Sequence, residues 1–299
     1  MRLGAHQSIS GGLEKAIDRA RTDGCEAVQI FTRNQSQWRV KPLDAGAIER
    51  FRAAVAEWGV PRERLLAHDS YLINVCASDP ALRRKSLAAL IEELNRCAAL
   101  GIRYLVMHPG AHVGQGEAKA IRLASRAISR ALEATAEGPD APWILLENTA
   151  GQGTNLGYRF EHIRDLLAGI ESAERVGVCV DTQHAFAAGY DLSTGEGYEE
   201  TFKEMDRAFG LERVCAFHLN DSKRELGARV DRHELIGRGH IGPGAFRLLV
   251  NDRRFAKLPG VLELPPPYPP LLTRLRRLSE GAATPRHRPA RSGRARALA

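Results

Sequence analysis

Short apolar runs alternate along this chain with longer stretches in which apolar residues return every three or four positions. The short runs predict strands over residues 3–6, 27–31, 65–68, 104–108, 143–147, 176–181, 214–219 and 261–263. The longer stretches turn Ala, Leu and Ile to one side and Arg or Lys to the other. They predict helices over 13–21, 45–58, 82–100, 118–136, 160–167 and 202–209. Gly101, Gly169 and Gly210 stand where helices should end. Eight strand–helix units in succession, with no Gly-rich first turn of the dinucleotide-binding kind, favour a closed (β/α)8 TIM barrel over an open doubly wound sheet. The fold expected is thus α/β, a single-domain barrel over residues 1–280. A proline-rich stretch from Leu264 to Pro270 precedes a last helix at about 271–278, and residues 281–299 read as a basic, disordered tail.

The chemistry lies in what ends the strands. Six of them close on a side chain able to hold a metal: His68, His108, Glu147, Asp181, His218 and Glu263. A parallel barrel gathers all its strand C-termini at one face, so these six should meet at one mouth. His184, Asp231 and His233 fall in loops above it. One histidine at a strand end is ordinarily a hydrogen-bonded structural residue, and a carboxylate there ordinarily caps the next helix. Nine such positions in one cavity are different, because five imidazoles and four carboxylates leave charge and lone pairs unsatisfied without cations. Imidazole with carboxylate and no thiolate suits Zn²⁺, with Mn²⁺ or Fe²⁺ as substitutes. Nine donors exceed one tetrahedral ion and suit two or three. Such clusters serve phosphodiester hydrolysis, and also peptidases.

Composition changes this picture little. The 43% hydrophobic and 26% charged residues are ordinary for a globular enzyme. The net charge of +7 suggests an anionic partner. Five arginines of the tail (Arg286, Arg288, Arg291, Arg294 and Arg296) supply most of it, leaving the barrel only about +2. The five cysteines are scattered and unpaired in pattern, which argues against a disulfide framework or a cysteine zinc site. With no signal-peptide pattern and no apolar run of membrane length, a cytoplasmic protein is expected.

Longer segments around the donors resemble the endonuclease IV family of AP endonucleases. His68-Asp69-Ser70-Tyr71-Leu72-Ile73-Asn74 is similar to its first signature, and Gly177 to His184 to its second. His218-Leu219-Asn220-Asp221-Ser222-Lys223, then Gly227 and Asp231-Arg232-His233, is similar to the third. Gly4-Ala5-His6, the Phe31 to Trp38 stretch, His108-Pro109-Gly110 and Glu147 to Gly153 also resemble family segments, so the likeness spans about residues 1 to 263. It implies three zinc ions. His68, His108 and Glu147 would hold one; Glu147 would bridge to a second, shared with Asp181, His218 and Glu263. His184, Asp231 and His233 would hold the third. The resemblance further implies catalytic roles for Glu147 and Glu263 alongside a metal-bound hydroxide. The implied reaction is hydrolysis 5′ to abasic sites in double-stranded DNA, leaving a 3′-hydroxyl and a 5′-deoxyribose phosphate, with cleaning of blocked 3′ ends. Tyr71 and Leu72 would enter the DNA, and the Asn34/Gln35 and 151–157 loops would contact phosphates. The enzyme is expected to act as a monomer.

Two departures stand out. Ser36 replaces an arginine of the family pattern that reaches into the base stack, with Arg33 and Arg39 as neighbouring candidates to take its place. Gln183 stands where the second signature has a cysteine and is not among the implied ligands, so little effect on the metals is expected. The alternative of another class is a metal-dependent sugar isomerase or epimerase on a related barrel. Such sites need fewer ions and imidazoles, and the loop trio His184, Asp231 and His233 discriminates against it.

Overall fold

The computed structural model describes residues 1–39, 41–135 and 137–280. In chain order the elements are β1 (Arg2–Gln7), α1 (Leu13–Thr22), β2 (Ala27–Phe31), α2 (Ala45–Trp58), β3 (Leu65–His68), α3 (Pro80–Leu100), β4 (Tyr104–Met107) and α4 (Glu117–Glu133). There follow β5 (Trp143–Glu147), α5 (Phe160–Ala168), β6 (Val176–Asp181), α6 (Thr182–Ala188), α7 (Gly195–Phe209) and β7 (Val214–His218). The chain closes with β8 (Asp221–Ser222), β9 (His233–Glu234), α8 (Gly242–Asn251), β10 (Pro259–Leu262) and α9 (Pro269–Glu280). Eight strands form a closed barrel in the order β1-β10-β7-β6-β5-β4-β3-β2, and every neighbouring pair is parallel. The expected TIM barrel is what the chain forms. The tail from 281 onward lies outside the described residues.

The strand period of two then places the site. Leu66, Val106, Leu145, Cys179, Ala216 and Val261 form a buried cluster of their own, one residue from each of six strands. Two positions further along each of those chains come His68, His108, Glu147, Asp181, His218 and Glu263. Alternation puts each pair on the same face. An apolar plug fills the barrel interior, and the donor ring lies on top of it at the strand C-termini. The larger core, built from residues such as Phe51, Leu94, Ile163 and Phe202, holds the helices to the barrel's outside.

Local signals explain both ends of α2 and α3. Asp44 and Asp79 accept backbone N–H groups at the starts of α2 and α3, and Pro80 occupies the first turn of α3. Gly59 and Gly101 end those helices in the left-handed region, at φ 71° and 77°. Several elements depart from expectation. Strands β4 and β10 stop at Met107 and Leu262, so His108 and Glu263 sit one residue past their strands. Helix α7 begins at Gly195, not 202, capped by Thr194; two glycines in its first turn mask the pattern. Helices α6 and α8 and the small β8–β9 hairpin are additional to the expected elements.

Candidate metal centre

Each donor reaches the mouth by a distinct local device. Asp181 ends β6 and caps α6, its Oδ1 accepting the His184 N–H at 2.8 Å. Its Oδ2 is left to accept from Asn220 Nδ2 at 2.6 Å and to face the site. Helix capping and metal competence therefore coexist in one carboxylate. The cap also starts the turn that carries His184. His233 opens β9, which the two-residue β8 holds in place, and the buried Asp221 organises that hairpin. Its two oxygens accept from the backbone N–H groups of Ser222, Gly237, Gly239, Ile241 and Gly242.

The donors fall into three groups. Oε2 of the buried Glu147 lies 3.0 Å from His68 Nε2 and 3.3 Å from His108 Nε2. Its Oε1 lies 2.9 Å from His218 Nδ1, which is also 3.1 Å from Glu263 Oε2 and 3.9 Å from Asp181 Oδ2. Ligand atoms of Glu147, Asp181, His218 and Glu263 lie within 4.8 Å of one another, as do those of Asp181, His184 and His233. Asp231 joins the third group, with Oδ2 3.4 Å from His184 Nε2 and Oδ1 3.3 Å from His233 Nε2. Two ligands of a tetrahedral zinc at 2.0–2.1 Å stand about 3.3 Å apart, so these spacings suit shared ions.

Hydrogen bonding to the other nitrogen of four of the five rings tests the fit. His68 Nδ1 faces the Asp69 carbonyl at 3.0 Å, His184 Nδ1 the Asn148 carbonyl at 2.9 Å, and His233 Nδ1 the Glu263 carbonyl at 3.3 Å. His218 Nε2 faces Gln29 Oε1 at 2.8 Å. A ring that donates its proton outward turns a lone pair inward. Lone pairs would then face carboxylate oxygens, which only a cation between them makes favourable. His233 Nε2 is buried without a hydrogen-bond partner among the described residues. The donor set fits divalent ions, and zinc among them.

The electrostatics agree. Burial pushes the Glu147 carboxyl up, but the charges of His218 and His108 outweigh it and hold the group well below the carboxylate range. Burial presses His68 down, yet bonds to Asp69 and Glu147 lift it to about 10. His184 stays well above its ordinary value against the same burial, through Asp181, Asp231 and Glu147. The ring of carboxylates draws positive charge into the mouth, by protonation where no metal supplies it.

The mouth opens into a cavity of about 310 Å³ whose rim includes Tyr71. Tyr71 is 67% exposed and packs edge-on against Phe31, with centroids 5.5 Å apart. Tyr71 thus lies outside the core, while Leu72 beside it is half-buried. Asn34 is exposed and accepts the Ser36 N–H at 2.9 Å, and the carbonyl of half-buried Gln35 accepts Ser70 Oγ at 2.5 Å. That last bond ties the β2–α2 loop to the loop carrying Tyr71. Arg33 does not take the place left by Ser36. It is buried, paired with Glu93 and donating to the Gln37 carbonyl, whereas Arg39 is exposed.

Gln29, Asn148 and Asn220 hydrogen-bond to the donors; the last two lie in the quoted family segments, and Gln29 lies in none of them. Gln29 joins two donors, accepting from His218 and donating to Glu263 Oε1 at 2.7 Å. A polar residue inside the apolar strand Ala27–Phe31 was the available signal. Asn148 pairs with the backbone of Asp181 in both directions, and Asn220 holds its carboxylate.

A model of the xylose isomerase-like TIM barrel family matches residues 17–284. The "Probable endonuclease 4" of Chloroflexus aggregans is 53% identical over 265 residues, covering 88% of this chain and 91% of that protein. The protein of the same name from Geobacter sulfurreducens is 50% identical over 263 residues, covering 88% of each chain. Among solved structures, endonuclease IV from Thermus thermophilus superposes with a TM-score of 0.80 at 36% identity, covering 94% of this chain and 98% of that one.

Proposed function

The chain belongs to the endonuclease IV family, and from that premise we infer that it is a zinc-dependent DNA-repair endonuclease acting 5′ to abasic sites in duplex DNA. The products would be a 3′-hydroxyl and a 5′-deoxyribose phosphate, and the same site would clear blocked 3′ ends. One observation carries the reading. The two oxygens of Glu147 face different donors, Oε2 towards His68 and His108 and Oε1 towards His218, with His184 Nδ1 also 3.2 Å from Oε1. That is what a bridging carboxylate in a multinuclear centre requires; such centres serve phosphodiester hydrolysis as well as peptide hydrolysis, and membership of an endonuclease family favours the former.

His68, His108 and Glu147 would hold one ion. Glu147, Asp181, His218 and Glu263 would hold the second, and His184, Asp231 and His233 the third. Zinc supplies, when bound, a lowered pKa for water and positive charge at the phosphate oxygens. The residues do the rest. Glu147 and Glu263 set the inner geometry of the centre. Gln29 and Asn220 keep Glu263 and Asp181 oriented, so that little reorganisation accompanies the reaction. Tyr71 and Leu72 would wedge into the duplex at the lesion, and the Asn34/Gln35 loop would hold the backbone. Among the described residues no helix is long and apolar enough to cross a membrane. A monomeric cytoplasmic enzyme is the form we propose.

The test is incision of a duplex carrying a single tetrahydrofuran abasic analogue by zinc-replete full-length protein. A single cut 5′ to the lesion, with an extendable 3′ end, is expected. Intact duplex after incubation with protein of verified zinc content would overturn the reading.

A further inference from the structure

Helix α6 carries Gln183 between Asp181 and His184, and this side chain is buried. Its Nε2 donates to the Val230 carbonyl at 2.9 Å. The N–H of Asp231 donates to Gln152 Oε1 at 3.0 Å. That carbonyl and that N–H belong to one peptide group. We propose that Gln183 and Gln152 are positioning residues that grip the Val230–Asp231 peptide at both edges and thereby aim the Asp231 carboxylate. The inference rests on the three-ion reading above and assigns a cause to the geometry of its third group.

The peptide is a rigid plane, so fixing its two polar edges places the Asp231 Cα and leaves φ as the one backbone torsion between that plane and the side chain. Asp231 needs such support more than the other donors. It is the most exposed of the nine, at 43% of its side chain, and it lies outside helix and strand. It sits in the excursion between β8 and β9, whose other backbone ties run from Gly227 to Phe186, from Arg229 to Ala187, from Ala228 to Glu225 and, at its base, from Lys223 to Arg232. Two of those ties anchor the excursion to α6 and the others lie within it, and none engages the Val230–Asp231 peptide group, whose C=O and N–H go to the two glutamines.

Packing alone does not call for an amide at 183. The Oε1 of Gln183 is buried with no hydrogen-bond partner among the described residues, a penalty that an apolar side chain of equal volume would avoid. The bond to Val230 is what the amide provides. A cysteine or alanine there ends too far from Val230 to replace it. The two glutamines also differ in role: 183 must donate, whereas 152 must accept.

Three full-length variants separate these roles. Gln183→Met keeps the volume and loses the donor, Gln152→Ala removes the acceptor at an exposed position, and Gln152→Glu retains an acceptor. Hydrogen exchange of the peptide covering residues 228–233 is measured in metal-free protein. Zinc release to a chelator is measured in zinc-loaded protein. At least tenfold faster exchange is expected in Gln183→Met and Gln152→Ala, and exchange as in the parent in Gln152→Glu. One zinc should leave at least tenfold faster in the first two variants, with the other ions released at the parent's rates. Unchanged exchange in Gln183→Met and Gln152→Ala would overturn the clamp, whatever the metals do. Should Gln183→Met fail to fold, Gln152→Ala decides alone. Parent protein that binds fewer than three zinc ions, while exchange responds as expected, would support the clamp and overturn the three-ion reading.

Discussion

His218 turns its Nε2 to Gln29 Oε1 at 2.8 Å, and that bond decides which of its nitrogens faces Glu147 and Glu263. With Nε2 donating, Nδ1 presents a lone pair to the centre. Gln29→Leu frees the ring to take the other tautomer and leaves Glu263 Oε1 without its amide partner. Metal affinity should fall by about 10–100-fold, the usual effect of losing such a support. Competition against a calibrated chelator measures it. Affinity within twofold of the parent would show that Gln29 is a bystander.

Removing the metal should lower stability and change its pH dependence. Any ion bound only by the folded state stabilises it by RT ln(1 + [L]/Kd), about 2.7 kcal/mol at a hundred times Kd. Metal binding also strengthens as pH rises, because the ligands must be deprotonated. The metal-free protein should behave oppositely. Its His68 is lifted to about 10, above the unfolded value of about 6.5. The stability this adds is fully present below pH ~6.5 and is lost as pH climbs through about 10. Urea midpoints of apo and zinc-loaded protein between pH 6 and 9 test this. Parallel pH profiles would refute it.

The strand ends were legible because each donor follows, at a spacing of two, an apolar residue that plugs the barrel: Leu66 before His68, Leu145 before Glu147, Cys179 before Asp181. Helix α6 was not, since six of its seven residues are buried and no polar face marks its period. The β8–β9 hairpin is two residues long on each side, and the Asp221 carboxylate that accepts the backbone N–H groups of Gly237 and Gly239 just beyond it is announced by no local pattern. Arg33 misled for a related reason. A lone arginine in a loop reads as solvent-facing, and its partner Glu93 lies sixty residues away on α3.

Tyr71→Ala should separate DNA engagement from chemistry. The ring is exposed at the rim and supported from one side by Phe31. Base–aromatic stacking lost on alanine substitution is worth about 1–3 kcal/mol. KM for abasic duplex should therefore rise by roughly 5- to 150-fold at that energy. Bound metal should not change, because Tyr71 is not among the donors. A kcat that falls in step with zinc content, at constant KM, would instead place Tyr71 in the support of His68, whose ring centroid lies 6.4 Å away.

The ion pair under the β2–α2 loop yields a stability prediction with an internal control. Glu93 is buried, pairs with Arg33 and accepts from Thr32 Oγ1 at 2.5 Å; Arg96 in turn donates to Thr32 and to the Lys41 carbonyl. Glu93→Ala leaves the Arg33 charge buried without its carboxylate, a loss of about 3–5 kcal/mol. Glu93→Gln keeps an acceptor for Thr32 and should cost less. Burying two charges is itself expensive, so Arg33→Met combined with Glu93→Leu should recover much of the loss. The loop shape would not recover with it, because Arg33 also donates to the Gln37 carbonyl. The double variant should thus regain its urea midpoint while its KM for abasic duplex stays raised. Recovery of both together would show that the pair only fills space beneath Asn34 and Gln35.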